Sequence, residues 1–343
     1  MIKLDFSSDY MEGAHPLIFE RLLKINDEKI PGYGKDKYTN DAKEKILNEC
    51  GMENGEVFFL AGGTQTNAVV ISALLKFSEA VIGADTAHIA THEAGAIEKT
   101  GHKVLTVPQK DGKIISSELT AYLDTYFSDE NFEHTPLPAV LYISFPTEYG
   151  TIYTKDEISC LRKICDKYSL KLYIDGARMG YGLEARGADI TLKDIASLSD
   201  VFYIGGTKVG ALFGEAVVFK DRELMPRFFT HIKSEGALLA KGWIPAVMFD
   251  VLFTDGLYYK ISQNAVDCAM KIKEMLINKG YKIYIDSPTN QQFTVIENKR
   301  LSVLKKNVGV GFWEKYDDNH TVIRIASSWA TTFEQVKALE KYL

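Results

Sequence analysis

Short apolar segments alternate with helical segments between residues 56 and 219, and this alternation constrains the fold more than any other feature. The segments predicted to be strands are residues 56–60, 80–83, 102–107, 139–145, 171–174, 201–204 and 215–219. The helices predicted between them are residues 68–77, 88–100, 116–127 and 154–168. Strands that alternate with helices imply a mostly parallel sheet with helices on both faces. We therefore predict a large α/β domain of three layers.

The pattern changes near residue 236, where two helical segments run to about residue 278. Two β-rich segments at 281–285 and 292–296 follow, then a third at 321–326 and a closing helix from residue 332. This order is typical of a smaller α+β unit. We predict a large domain over residues 1–245, including the N-terminal segment, and a small C-terminal α+β domain over residues 246–343.

Charge and composition exclude several classes of partner. The 343 residues carry a net charge of −6, so we expect neither nucleic acid nor an anionic membrane surface as a partner. Residues 1–10 lack a cationic and apolar leader, and no apolar run reaches the roughly 20 residues of a membrane span. The four cysteines are scattered without zinc-ligand spacing. These features predict a cytoplasmic protein with reduced thiols.

Two charged residues of opposite sign follow two of the predicted strands. Lys208 comes after strand 201–204 and two glycines, and Asp175 ends the apolar run at 172–174. A cation at the end of a buried strand is costly to desolvate, and such a lysine can attack a carbonyl as the free amine. A single charged residue just after a strand is more often a solvent-exposed side chain than part of a site. Two in series favour a site at the carboxyl ends of the strands.

A glycine-rich turn, Gly62-Gly63-Thr64, lies between a predicted strand and a predicted helix. Its backbone N–H groups and the Thr64 hydroxyl suit a phosphate, although a simple helix-start turn is the alternative. The turn lacks the glycine fingerprint of dinucleotide-binding proteins and the lysine of a P-loop. A phosphate cradle, an aspartate and a lysine in this chain order are what pyridoxal phosphate requires.

Three further positions have both a structural and a functional interpretation. His88 could stack on a cofactor ring or simply start a helix, and a metal pair with His92 is disfavoured because no third ligand is evident. Arg324 interrupts an apolar strand, so it needs an anion, either a structural carboxylate or a substrate carboxylate. Lys241 could be a surface lysine or a phosphate contact.

These residues together resemble the threonine aldolase and β-eliminating lyase family. The motifs that carry the resemblance are Ser7-Ser8-Asp9, Tyr33-Gly34, Gly63-Thr64-Gln65-Thr66-Asn67, His88 through Glu93-Ala94-Gly95, Asp175-Gly176-Ala177-Arg178 and Thr207-Lys208. The family consists of fold-type-I pyridoxal 5'-phosphate enzymes of the aspartate aminotransferase superfamily. The resemblance extends from about Asp5 to Trp329. It implies a PLP-transferase-like large domain.

The resemblance also implies roles for individual residues. The residues implied to bind the cofactor are Gly63, Thr64, His88, Asp175, Arg178, Thr207, Lys208 and Lys241. The residues implied to bind the substrate are Ser8, Tyr33, Arg178 and Arg324. The residues implied to be catalytic are Lys208, His88 and Glu148. Lys208 would bond to the cofactor, Asp175 would pair with its ring nitrogen, and Lys241 would reach the phosphate of a neighbouring subunit in a homodimer or homotetramer.

One segment departs from the family pattern. Residues 145–150 read Phe-Pro-Thr-Glu-Tyr-Gly, where the family usually has Glu-Asn-Thr-His-Asn-Gly. Glu148 therefore replaces a histidine that lies beside the substrate hydroxyl in threonine aldolases. A glutamate can act as a base or position a water, but its charge and reach differ from those of histidine.

The functional hypothesis from the sequence is an aldehyde lyase that uses pyridoxal phosphate to cleave a β-hydroxy-α-amino acid, similar to threonine or allo-threonine, into glycine and an aldehyde. A base near His88 and Glu148 would take the hydroxyl proton. A β-eliminating lyase or an aminotransferase would use the same cofactor residues and is distinguished by its products. A non-catalytic relative and a nucleotide-binding protein are disfavoured by the intact lysine and the missing glycine fingerprint.

Overall fold

Two separate β-sheets organise the chain in the computed structural model, which describes residues 4–343. Residues 1–3 of the N-terminal segment, for which no leader was predicted, lie outside the described residues. The strands are β1 Leu4–Phe6, β2 Glu56–Leu60, β3 Glu79–Ala84, β4 Lys103–Val107, β5 Gln109–Lys110, β6 Lys113–Ile114, β7 Leu137–Ser144, β8 Lys171–Asp175, β9 Val201–Gly205, β10 Glu215–Phe219, β11 Lys282–Ile285, β12 Gln291–Glu297, β13 Val308–Lys315 and β14 His320–Ala326.

Helices connect most of these strands. The α-helices are α1 Pro16–Ile25, α2 Lys37–Cys50, α3 Gly63–Leu74, α4 His88–Thr91, α5 Ser116–Ser128, α6 Lys155–Tyr168, α7 Met179–Leu183, α8 Leu192–Leu198, α9 Phe228–Ser234, α10 Trp243–Leu252, α11 Leu257–Asn278, α12 Asn298–Leu304 and α13 Phe333–Leu339. Short 3₁₀ helices cover Glu98–Thr100, Phe132–His134 and Arg222–Leu224. None of the helices over residues 4–343 is long and apolar enough to cross a membrane.

The larger sheet has seven strands in the order β2-β10-β9-β8-β7-β3-β4. Strands β4, β3, β7, β8 and β9 are parallel to one another, whereas β10 pairs antiparallel with both β9 and the edge strand β2. Every residue of β9 and β10 is buried, which explains why their sequences are continuous apolar runs rather than alternating ones. The predicted α/β architecture with a mostly parallel sheet is confirmed.

Local sequence signals set several helix ends. Thr154 caps α6 by accepting a hydrogen bond from the N–H of Glu157, whose side chain bonds back to the N–H of Thr154. Asp36 caps α2 by accepting a hydrogen bond from the N–H of Thr39, and Gly51, with a φ of 65°, ends that helix in the left-handed conformation. These caps satisfy backbone groups that a helix end otherwise leaves without partners.

The smaller sheet has five strands in the order β1-β13-β14-β12-β11. Strand β1 pairs in parallel with β13, so residues 4–6 lie in this sheet although the prediction grouped the N-terminal segment with the large domain. The close approach depends on Gly309, where a Cβ would lie 2.1 Å from the Asp5 carboxylate. The division of the chain at residue 245 stays a prediction, and it falls inside helix α10.

The predicted helix over residues 88–100 is wrong. The α-helix ends at Thr91, and only a 3₁₀ turn follows at Glu98–Thr100. Between them Ala94 and Gly95 have φ values of 52° and 76°, a left-handed conformation that no helix can pass through. The helical conformation is therefore interrupted between residues 91 and 98.

Candidate functional site

A cavity lies at the carboxyl ends of the parallel strands of the larger sheet, as expected for this type of sheet. The residues that line it are Gly63, Asn67, His88, Ser144, Pro146, Thr147, Glu148, Asp175, Ala177, Arg178, Tyr203 and Lys208. Six of the predicted site residues are among them, namely Gly63, His88, Glu148, Asp175, Arg178 and Lys208. The structure therefore brings the lysine and the aspartate to one cavity from the ends of two neighbouring strands.

Asp175, the last residue of β8, is buried and held by four hydrogen bonds. Tyr142 and Asn67 donate to Oδ2 at 2.6 and 2.9 Å, Tyr203 donates to Oδ1 at 2.5 Å, and the N–H of Ala177 donates to Oδ1 at 3.0 Å. Burial acts to raise the pKa of Asp175, but the charge of His88 and these side-chain bonds outweigh it and lower the pKa. The group is therefore suited to remain an anion beside a cationic ring nitrogen.

The tyrosines that hold Asp175 were not predicted as site residues. Tyr142 lies on β7 and Tyr203 on β9, on either side of the strand that carries the aspartate. Burial raises the pKa of both phenols well above the ordinary value, so both keep the proton that they donate. A signal existed in the sequence, because a tyrosine inside an apolar strand needs a polar partner.

Lys208 lies in the loop that follows β9. Burial and the charge of Arg178 lower the pKa of Lys208 to about 8, although Asp9, Asp175 and Glu215 act in the opposite direction. The Tyr181 hydroxyl donates to the backbone carbonyl of Lys208 at 2.6 Å, which fixes the loop at this residue. A substantial fraction of the amine is therefore unprotonated near neutral pH and can act as a nucleophile.

Glu215, the first residue of β10, holds the start of this loop. It accepts hydrogen bonds from the N–H of Gly206 at 3.1 Å and from the Thr207 hydroxyl at 2.8 Å. The Thr207 hydroxyl also accepts a bond from the N–H of Gly214 at 3.0 Å, so it serves the loop itself, and Thr207 is not among the residues that line the cavity. Burial raises the pKa of Glu215 to about 8.

Arg178 is paired with Asp9, for which no role was predicted. Its Nε and Nη2 donate to the two carboxylate oxygens of Asp9 at 2.6 and 2.9 Å, a bidentate pair. Asn290 donates to the same carboxylate at 2.9 Å. Asp9 is fully buried, and burial acts to raise its pKa, but Arg178 and, after it, the charges of Lys208 and Arg324 outweigh burial and hold the pKa far below the ordinary value.

Arg324 lies on β14, near Ser8 and outside the group of residues that line the cavity. Its Nη1 donates to Gln291 at 3.1 Å and its Nη2 to the carbonyl of Ser7 at 3.0 Å. Within residues 4–343, its Nε, the Ser8 hydroxyl and the Gln291 amide nitrogen are buried donors without a hydrogen-bond partner. Gln291 was not predicted. Buried donors that lack a partner in the protein are suited to an anionic ligand.

Glu148 and His88, which both line the cavity, are in direct contact. The Glu148 Oε1 accepts from the backbone N–H of His88 at 2.9 Å and from the Ser144 hydroxyl at 2.7 Å. Burial raises the pKa of Glu148, although these bonds act against it. The carboxylate is therefore a stronger proton acceptor than an exposed glutamate.

Helix α3 begins at Gly63, at the edge of the cavity, with Thr64 as its second residue. Its N-cap is Gly62, which supplies no capping side chain, so the first N–H groups of the helix are available to an anion. A Cβ atom placed on Gly62 would meet no other atom within 4 Å, so the space above the turn is open.

Tyr33 and Lys241 lie on another surface. The N–H of Tyr33 donates to the carbonyl of Ala240 at 3.0 Å, so the two segments are in contact. The Tyr33 ring is 42% exposed, with the Lys233 ammonium 4.5 Å from its centroid. Neither Tyr33 nor Lys241 lines the cavity of its own chain.

Histidine, cysteine and carboxylate side chains do not form a metal-binding group of three or more within residues 4–343. His88 and His92 have ring centroids 5.7 Å apart, but the Nδ1 of His88 bonds to Glu93 at 2.8 Å.

Comparisons with known proteins agree on the relationship of this chain. The sequence profile of the β-eliminating lyase family matches residues 5–299. A threonine aldolase from Leishmania major of known structure superposes with a TM-score of 0.94 at 36% identity, over 98% of this chain and 99% of that chain. A low specificity L-threonine aldolase from a Pseudomonas species is 29% identical over 97% of this chain and 95% of the relative. An aspartate aminotransferase from Thermus thermophilus shares the fold, with a TM-score of 0.74 at 14% identity, over 99% of this chain and 90% of that chain.

The lowered pKa of Lys208 predicts its reactivity. In cofactor-free protein, reductive methylation followed by mass spectrometry should give a midpoint near pH 8 for Lys208, against an ordinary lysine value of 10.5. At pH 8 its unprotonated fraction should exceed that of exposed lysines in the same sample by about a hundredfold. Glu215, which is partly ionised near its own pKa of about 8, raises the pKa of Lys208, so Glu215→Gln should move the midpoint to lower pH. A midpoint that matches the exposed lysines would contradict the electrostatics described above.

Proposed function

Since the chain belongs to the threonine aldolase and β-eliminating lyase family, we propose that it is a lyase that uses pyridoxal 5'-phosphate to cleave a threonine-like β-hydroxy-α-amino acid into glycine and an aldehyde. The observation that carries the proposal is the shared cavity of Lys208 and Asp175, an amine with a lowered pKa and a buried anion at the ends of adjacent strands. The threonine aldolases among its relatives support the choice of substrate.

The residues of the cavity fit this cofactor. Lys208 would bond to its aldehyde, Asp175 would pair with its ring nitrogen, and the N-terminus of α3 at Gly63 and Thr64 would hold its phosphate. His88 would lie against the ring, and Arg178, fixed by Asp9, would lie near the ring's phenolic oxygen. When bound, the cofactor supplies an electron sink for the bond that breaks at the substrate α-carbon.

The remaining residues would orient the substrate and move its proton. Arg324, Ser8 and Gln291 offer buried donors to the substrate carboxylate, and their placement decides which bond at the α-carbon faces the electron sink. Glu148, whose pKa is raised by burial, would accept the proton of the β-hydroxyl group as the carbon–carbon bond breaks. His88 would lie beside the same hydroxyl group, within reach of its proton.

A second copy of the chain would complete the site. Tyr33 and Lys241 lie together on a surface outside the cavity of their own chain, and Tyr33 is substantially exposed. A cation and an aromatic side chain placed in this way are available to the phosphate and substrate in a neighbouring subunit. We therefore propose a homodimer or homotetramer with its active sites at a subunit interface, in the cytoplasm as the sequence predicts.

The reaction class is tested by product analysis with purified protein and pyridoxal phosphate. We expect glycine and an aldehyde from threonine, allo-threonine or a related β-hydroxy amino acid. A keto acid with ammonia, which is 2-oxobutanoate when the substrate is threonine or allo-threonine, would instead indicate β-elimination. A keto acid that keeps the substrate hydroxyl group, formed without ammonia, would indicate transamination. Lys208→Ala should remove the visible absorbance of the bound cofactor and lower turnover by at least about a hundredfold. A variant that keeps both would rule out Lys208 as the covalent attachment point.

The role of Glu148 is tested by Glu148→Gln, which keeps the size of the side chain and removes its basicity. Turnover should fall by about a hundredfold or more, with a smaller change in KM, because proton transfer is lost and binding is kept. Glu148→His restores the residue usual in the family and should raise the share of threonine cleavage among the products. Unchanged kcat in Glu148→Gln would show that this carboxylate takes no part in proton transfer.

Sharing of the site between subunits is tested by mixing two inactive variants. A mixed dimer of Lys208→Ala and Lys241→Ala chains should contain one site with both lysines intact, and so should recover close to half of the wild-type activity. A mixed dimer of Lys208→Ala and Asp175→Asn is the matched control. Both of its changes lie in the cavity of the chain that carries them, so it should stay inactive. No recovery in the first mixture would place Lys241 outside the neighbouring site.

A further inference from the structure

Glu93 is a buried carboxylate beside the cavity that the proposed mechanism does not use. It lies five positions after His88, so a continuous helix would point the two side chains in different directions. The helix instead ends at Thr91, and His92 leaves the helical conformation with a φ of −128° and a ψ of 10°, so Glu93 does not have the direction that a continued helix would give it. The Glu93 Oε1 lies 2.8 Å from the His88 Nδ1, and the Glu93 side chain has no exposed surface.

Asn67 joins this carboxylate to Asp175. Its amide nitrogen donates to the Glu93 Oε1 at 2.7 Å and to the Asp175 Oδ2 at 2.9 Å. Its amide oxygen accepts from the Tyr173 hydroxyl at 2.8 Å, which fixes which end of the amide faces the carboxylates. Asn67 is fully buried on helix α3, so both of its N–H groups are committed to anions.

The consequence for His88 is a defined proton position. An ionised carboxylate only accepts hydrogen bonds, so the imidazole nitrogen that faces Glu93 must be the one that carries the proton. In the neutral ring the other nitrogen, Nε2, is then a free acceptor. The backbone of the same residue is held from another direction, because its N–H donates to Glu148 at 2.9 Å.

We propose that Glu93 and Asn67 are positioning residues. Glu93 fixes His88 in the tautomer that has its proton on Nδ1, and Asn67 keeps that carboxylate in register with Asp175. The tautomer follows from these contacts alone. Its value for turnover rests on the proposed function, in which the single proton of the substrate hydroxyl passes to a base: an unprotonated Nε2 leaves His88 able to accept that proton beside Glu148, whereas a protonated Nε2 could not.

The tautomer is measured by nitrogen-15 NMR of the full chain with labelled histidine, with pyridoxal phosphate bound and no substrate. The spectrum is recorded above the ordinary imidazole pKa, and the His88 signals are identified by their loss in His88→Gln. We expect a protonated Nδ1 and an unprotonated Nε2 in the wild type. In Glu93→Ala we expect a mixture of both tautomers, and turnover reduced by about 10- to 100-fold with a smaller change in KM. Asn67→Ala should change the tautomer less than Glu93→Ala.

The chain provides a matched control in an exposed pair of the same chemistry. The His320 Nδ1 lies 2.9 Å from Asp317, so Asp317→Asn removes a carboxylate from a histidine on the surface. This variant should leave the His88 signals and turnover unchanged. Glu93→Gln, which keeps the side-chain volume, serves as the second variant if Glu93→Ala fails to fold. Its amide can donate as well as accept, so it should also weaken the preference for a protonated Nδ1.

Two results would overturn the proposal. One is a wild-type His88 with its proton on Nε2, a measurement that needs no variant. The other is a folded Glu93 variant with an unchanged tautomer and unchanged turnover. Failure of the proposed function has a different signature, because the tautomer is read without substrate. A protonated Nδ1 in a protein that forms no glycine and aldehyde would support the pairing and reject the reaction.

Discussion

The burial of the Asp175 carboxylate is the constraint on which the rest of the site depends. An isolated carboxylate in a protein interior costs several kcal/mol unless it is paired and hydrogen-bonded. Asp175 meets this requirement through Tyr142 on β7, Tyr203 on β9 and Asn67 on α3. Three separate elements are therefore held in register around one anion, and the cavity forms where their ends meet.

Positive and negative side chains surround this cavity, and their charges shift the pKa values of their neighbours. Arg178 is neutralised by Asp9, yet its charge still lowers the pKa of Lys208. Glu215 acts in the opposite direction on Lys208 while it holds the loop that carries it. The pKa of Lys208 therefore lies close enough to physiological pH for part of the amine to be unprotonated, although no single neighbour sets that pKa.

The sequence was sufficient for the features that depend on local patterns. The strand that ends in Asp175 and the strand that is followed by Lys208 could be predicted, because each is a run of apolar residues that stops shortly before a charged one. The partners were not visible, because Asp9 and Arg178 are 169 residues apart and no local pattern joins them. Strand β13 was not predicted, because Gly309 and Gly311 interrupt its valines and glycine is depleted in strands. The contact between Glu93 and His88 was not predicted, because residues 88–100 were predicted to form one continuous helix.

The N-terminal segment explains how the two sheets can share one site. Strand β1 belongs to the smaller sheet, and three residues beyond its end Asp9 binds Arg178, which follows β8 of the larger sheet. Ser8 and Arg324 lie on the smaller-sheet side of this link, whereas Lys208 and Asp175 lie on the other. A bidentate ion pair fixes orientation as well as distance. In the proposed function, the Asp9–Arg178 pair would therefore set the direction from which donors for a substrate carboxylate face the lysine, and with it the bond at the α-carbon that is placed to break.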